Sequence, residues 1–128
     1  MSVRLAISTL GLRARTGPGG SGSGVFRYVH PEDIEFRFDG AGIDREGELV
    51  VVEEESGPIT SLHIYGHLAR LLVMAVLGDP VAAVGWVVEE RHLENLRRVI
   101  RPWYNLASRF SKVSIPRPYY MSTEGEIL

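Results

Sequence analysis

The sequence predicts an α/β domain, a mixed β-sheet core flanked by helices. Three observations predict it. First, the β-branched run Leu49–Val52 is followed by a helical pattern and then by a second apolar run, Val81–Val88. Strand–helix–strand with a fully buried second strand implies parallel pairing in part of the sheet. Second, the segments Val25–Val29 and Ile34–Phe38 read as strands of a hairpin ahead of that unit. Third, the 128 residues are 45% apolar and 23% charged, with no cysteine. Such a chain reads as one soluble globular domain, residues 1–128, that closes its core without disulfide or zinc staples.

The elements follow in order. Residues 5–12 (Leu-Ala-Ile-Ser-Thr-Leu-Gly-Leu) form a short apolar element, strand or helix. The Gly- and Ser-rich stretch Thr16–Gly24 is a flexible loop by composition. No Gly-Lys-Ser/Thr follows it, so it is not a Walker loop. Residues 1–24 thus form a basic, Gly-rich N-terminal segment. Ile34-Glu35-Phe36-Arg37-Phe38 alternates with period two and reads as a half-buried strand. It runs into Asp39-Gly40-Ala41-Gly42-Ile43-Asp44, and Arg45-Glu46-Gly47 reads as a turn. Leu49–Val52 is a buried strand by β-branched content and ends in Glu53-Glu54-Glu55. A helix is expected from about Thr60 to Leu77, with Thr60 or Ser61 as N-cap and Gly78 and Pro80 as stop signals. A last amphipathic helix runs from about His92 to Arg109, where Pro102 removes a helical donor and must kink or divide it. Residues 111–128, with Pro116, Pro118, Tyr119 and Tyr120, are expected to be an irregular tail behind a core of residues 25–110.

The net charge of −2 conceals an uneven distribution. Residues 1–30 carry +4, residues 31–90 carry −10, residues 91–117 carry +6 and the last eleven carry −2. An acidic centre is flanked by two basic segments. Thirteen of the 14 basic residues are Arg, which suits bidentate phosphate contacts; Lys112 is the exception. The longest apolar stretch, Leu71–Leu77, is far short of the roughly 20 residues that cross a bilayer, so no membrane role is expected. No signal peptide is visible at Met1-Ser2-Val3-Arg4, and a cytoplasmic location is expected.

The informative feature is Asp39 followed, one hairpin turn later, by Glu53-Glu54-Glu55. On a strand, Glu53 and Glu55 project to one side and Glu54 to the other. If the preceding strand pairs antiparallel, Asp39 sits beside Glu53. Carboxylates packed together repel unless a cation neutralises them. A hard divalent ion such as Mg²⁺ does this through oxygen ligands, and it can neutralise a phosphate and activate water. A solvated strand end is the competing structural reading of the same residues.

At these residues the chain resembles the PD-(D/E)xK nucleases. The matching stretch is Arg37-Phe38-Asp39-Gly40-Ala41-Gly42-Ile43-Asp44, then Glu48-Leu49-Val50-Val51-Val52-Glu53-Glu54-Glu55-Ser56-Gly57. The family pattern is an acid on one hairpin strand, acid-x-Lys at the end of an apolar second strand, and then helix, strand and helix. Element order matches over about residues 34–110. The resemblance implies a restriction-endonuclease-like fold and metal-dependent hydrolysis of DNA phosphodiester bonds. Asp39 and Glu53 would bind Mg²⁺ or Mn²⁺, the Glu54 backbone carbonyl would be a further ligand, and Glu55 would stand in the place of the usual Lys. Asp44 is a rival for the first acidic position. Phe38, not Pro, precedes Asp39. The segment Leu12-Arg13-Ala14-Arg15, followed by Gly and Ser, is similar to the region before the hairpin in archaeal Holliday junction resolvases. Those proteins carry a glutamate on an N-terminal helix, whereas here no acid precedes Glu32.

His63 and His67 stand at i, i+4 on the expected helix, which is metal-ligand spacing. The zincin Glu after the first histidine is absent, which argues against zinc. In the nuclease superfamily this helix often supplies a polar residue to the active site from such a position. Arg13, Arg15, Arg97, Arg98 and Arg101 are candidate nucleic-acid contacts, the last three beside Trp103 and Tyr104. Apolar and aromatic residues near the C-terminus make a homodimer plausible. The sequence therefore points to a metal-dependent nuclease acting on DNA. The alternative is a catalytically inactive relative that binds nucleic acid or a protein.

Overall fold

A computed structural model describes residues 2–14, 25–110, 112 and 115–128. Helix α1 (Ser2–Thr9) leads into a two-residue strand, β1 (Arg13–Ala14). Four strands follow: β2 (Phe26–His30), β3 (Ile34–Phe38), β4 (Gly40–Ile43) and β5 (Leu49–Glu55). Helix α2 (Ser61–Val76) crosses to β6 (Ala83–Val88). A 3-10 turn over Glu90–His92 opens α3 (Leu93–Phe110), and β7 (Arg117–Met121) comes last.

The main sheet has the order β1-β4-β5-β6-β7. β1, β4 and β5 pair antiparallel, whereas β5, β6 and β7 run parallel. This is an α/β protein with a mixed sheet of four full strands and a two-residue edge strand. β2 and β3 form a separate hairpin. Among the described residues, no helix is long and apolar enough to cross a membrane.

Alternation along β5 sorts the layers. Val51 joins Val84, Trp86 and Val88 in a core with Ile64, Leu68, Leu71 and Met74 of α2 and Leu96 and Ile100 of α3. Phe26, Tyr28 and Phe38 of the hairpin pack into this same core. Val52 faces the other way, toward Val87, Met121 and Ala6 of α1. Glu53 and Glu55 share the Val51 face and so look toward α2, while Glu54 looks toward α1.

Several expectations need correction. The strand Ile34–Phe38 does not enter the main sheet; it pairs with Phe26–His30. Gly40–Ile43, into which that strand was expected to run, is a separate strand and the one that pairs with β5. Its glycines disguise it, but α1 and the residues that follow it require them. A Cβ at Gly40 would collide with Val3 Cγ1, and one at Gly42 would lie 2.6 Å from Leu12 Cβ. The segment of residues 5–12 is mostly helix, as α1 ends at Thr9. The C-terminal tail is not irregular, since Arg117–Met121 extends the sheet. There Arg117 N–H donates to Ala82 O (3.0 Å). The backbone of Pro118 then faces the outer edge, where no ladder donor is required. α3 is not divided at Pro102, which is exposed and lies inside the continuous helix.

α2 starts and stops close to the expected positions. Thr60 is its N-cap residue. At its end Gly78 N–H donates to Ala75 O and Asp79 N–H to Met74 O, with Gly78 at φ 89°. That is a Schellman stop, which glycine accommodates without strain. Asp79 then accepts the Tyr28 hydroxyl hydrogen bond and ties the hairpin to this corner.

Candidate metal centre

Gly40 pairs with Val52, so the next step of the antiparallel register brings Asp39 opposite Glu53. Each carboxylate is then held by the other strand's backbone. Asp39 N–H donates to Glu53 Oε1 (3.3 Å), and Glu54 N–H donates to Asp39 Oδ2 (2.7 Å). Asp39 is exposed, whereas Glu53 and Glu55 are only 3% and 5% exposed. They are the only buried charged residues among those described.

α2 faces them with two histidines one turn apart. His67 Nδ1 lies 3.2 Å from Glu53 Oε2, and His67 Nε2 lies 3.2 Å from Glu55 Oε1. His63 Nε2 lies 3.3 Å from Glu55 Oε2 and 3.1 Å from His67 Nε2. The His67 side chain is 11% exposed and has Trp86 edge-on beneath it; that of His63 is 60% exposed. Ile64 and Leu68, buried in the core, anchor this part of the helix.

Burial pushes the Glu53 carboxyl up to about 8; His67 opposes the shift, while Asp39 and Glu55 add like-charge repulsion. Burial also disfavours charged His67, but the Glu55 and Glu53 carboxylates outweigh it and hold its pKa above the ordinary histidine value.

The structure thus brings together Asp39, Glu53, Glu55, His63 and His67 at the C-terminal end of β5. Glu54 sends its side chain to the opposite face, but its backbone edge is turned toward Asp39. Asp44 does not join them. It lies at the other end of the β4–β5 hairpin, where Oδ1 accepts N–H bonds from Glu46 (3.0 Å) and Glu48 (2.8 Å). Arg13 is also at that end, paired with Ile43. Arg15 lies outside the described residues. On α3, Arg97 pairs with Glu94 (3.1 Å) and sits over the Tyr120 ring (5.2 Å), while Arg98 and Arg101 are exposed. Sequence reasoning missed the convergence of both histidines on Glu55. The available signal was an i, i+4 pair two helical turns or less from the N-cap, directly after a strand ending in alternating glutamates.

Asp39 and Glu53 offer oxygen donors, the type that a hard cation takes, although Glu53 Oε2 also faces His67 Nδ1. Mg²⁺ is commonly held by one or two carboxylates, with water and substrate phosphate completing the shell. Asp39 Oδ1 and Glu53 Oε2 are the oxygens not bonded to the facing backbone N–H groups. Glu55, Nε2 of both histidines and their mutual spacing form a different donor set, the one group of three or more such residues among those described whose ligand atoms lie within 4.8 Å of one another. Comparison with protein-family models, curated proteins and solved structures returns no match.

Proposed function

We propose that this chain is a metal-dependent nuclease of the PD-(D/E)xK type, with a restriction-endonuclease-like fold, that hydrolyses DNA phosphodiester bonds. The observation that carries this reading is the register of β4 against β5, which sets Asp39 beside Glu53 at the sheet's end. The antiparallel β4–β5 pair and the α2 crossover to parallel β6 support it, because this is the element order that the resemblance implies.

Asp39 and Glu53 would hold Mg²⁺ or Mn²⁺, with the Glu54 carbonyl as a further ligand. When bound, that ion would neutralise the scissile phosphate and make water a better nucleophile. The chain's own groups do the rest. Exposed Asp39 forms the rim where a phosphate arrives. The Asp39 and Glu54 N–H groups keep the two carboxylates aimed. Glu55, in the usual Lys position, or a histidine beside it would orient the attacking water. Arg98 and Arg101 offer exposed positive charge for the DNA backbone.

The test is cleavage of duplex, single-stranded and branched DNA by chelator-treated protein, with and without Mg²⁺ or Mn²⁺. Cleavage is expected only with metal and is expected to vanish in Asp39→Ala and Glu53→Ala. Undiminished cleavage by either variant overturns the assignment. A second reading, a non-catalytic relative that binds nucleic acid, is favoured by one observation: Glu55 sits among histidines, where the family pattern has a lysine. DNA retention without cleavage in the same assay would select it.

A further inference from the structure

We propose that Glu55, His63 and His67 form a second cation site, one that prefers a divalent transition-metal ion such as Zn²⁺ over Mg²⁺. The site goes beyond the nuclease reading, because it is defined by its ligands and needs no nucleic acid; with an ion bound there, Glu55 and the histidines would act on water through that ion rather than directly.

Geometry is the first support. Metal–ligand bonds of about 2.0–2.1 Å set ligand–ligand edges of about 3.3 Å in a tetrahedron and about 2.9 Å in an octahedron. The three edges here are 3.1 Å (His63 Nε2 to His67 Nε2), 3.2 Å (His67 Nε2 to Glu55 Oε1) and 3.3 Å (His63 Nε2 to Glu55 Oε2). The two Glu55 distances go to different oxygens of one carboxylate, so the three side chains converge closely enough to share one ion, with Glu55 offering either oxygen.

Unmet bonding is the second support. Glu55 Oε1 is fully buried and has no hydrogen-bond partner, despite its nearness to His67. Buried polar atoms are nearly always satisfied, so this one calls for a ligand. A hydrogen bond between the two imidazoles would satisfy only the nitrogens that face each other. It would leave Glu55 Oε1 as it is.

The surroundings fit as well. A metal-ligating histidine usually turns its other ring nitrogen to a carboxylate. His67 brings Nδ1 to 3.2 Å from Glu53 Oε2, although the two make no hydrogen bond in this arrangement. Two imidazoles and one carboxylate suit Zn²⁺, Mn²⁺ or Co²⁺ better than Mg²⁺, which favours an all-oxygen shell. Three protein ligands leave a position for water, and the 60% exposure of the His63 side chain puts that position at the surface.

The full chain, freed of metal by chelation, is titrated with ZnCl₂ in a calorimeter, with and without excess MgCl₂. One Zn²⁺ per chain that Mg²⁺ does not displace is expected. Co²⁺ in its place should give visible d–d absorption that Zn²⁺ abolishes. His63→Ala, His67→Ala and Glu55→Gln should each weaken Zn²⁺ binding at least tenfold. His63→Ala is the safest of these, since an exposed side chain is removed. Asp39→Ala should lose cleavage yet keep Zn²⁺ binding, which separates failure of the nuclease reading from failure of this one. Zn²⁺ binding unchanged in His63→Ala, or full displacement by Mg²⁺, would overturn the proposal.

Discussion

The β4–β5 hairpin carries carboxylates at both ends, and the two ends use them differently. At the turn, Asp44 spends its side chain on local structure, accepting two backbone N–H groups from residues two and four positions ahead. It is an Asx-type turn that any solvated hairpin could carry. At the far end, Asp39 and Glu53 are each held by a single backbone donor, and Glu55 has a buried oxygen with none. The difference lies in what faces each end. The turn meets solvent, whereas the far end meets two histidines of a helix anchored in the core. An aspartate's chemistry is thus set by the element packed opposite it.

The largest expected effect tests the active end. Loss of a supporting partner at a metal site costs 10–100-fold, so removing a direct ligand through Asp39→Ala or Glu53→Ala should lower metal-dependent cleavage at least about 100-fold. Asp44→Ala in the same assay should leave the rate within about twofold, and an equal loss there would erase the contrast between the two ends.

Next in size is the backing of β4. Gly40→Ala forces Val3, and α1 with it, to shift away from β4 and should cost about 1–3 kcal/mol in denaturant unfolding. An unchanged midpoint would show that α1 yields freely.

The pH dependence of the metal-free protein comes third. Glu53 has a folded pKa of about 8 against an ordinary value of 4.5. The folded state thus keeps a proton that the unfolded chain releases, and stability falls as pH rises through that window. The Tm measured with chelator present should drop between about pH 5 and pH 8, and Glu53→Gln should flatten the drop. An equal slope in the variant would move the cause elsewhere.

The smallest effects are structural. Asp44→Ala should lower stability by about 1 kcal/mol, as should Tyr28→Phe, which removes the hydroxyl bonded to Asp79. Both are read from denaturant midpoints.

What was legible in the sequence follows from how local the signal is. The nearness of Asp39 to Glu53 was expected if the preceding strand paired antiparallel, but the period of two marked Ile34–Phe38, whereas the strand that makes the pairing is β4. The limits of α2 could be read from Thr60, Gly78 and Pro80. β4 was hidden because Gly40 and Gly42 have no strand propensity; their value is the space they leave for Val3 of α1 and for Leu12, a tertiary fact. β7 was hidden because Pro116 and Pro118 signal a loop, and only an edge position makes Pro118 compatible with a strand. The histidines were visible as a pair, yet their partner Glu55 could be assigned only once α2 was laid across the end of β5.

The close seating of α1 on Gly40 carries one more consequence. The first helix is a backstop: through Gly40 it bears directly on the strand whose preceding residue is Asp39. Shortening α1, or wedging bulk beneath it at Val3, should let Asp39 drift before the sheet itself melts. Activity would then fail at a lower denaturant concentration than secondary structure, and the earliest symptom of damage at one end of the chain would appear in the carboxylate pair.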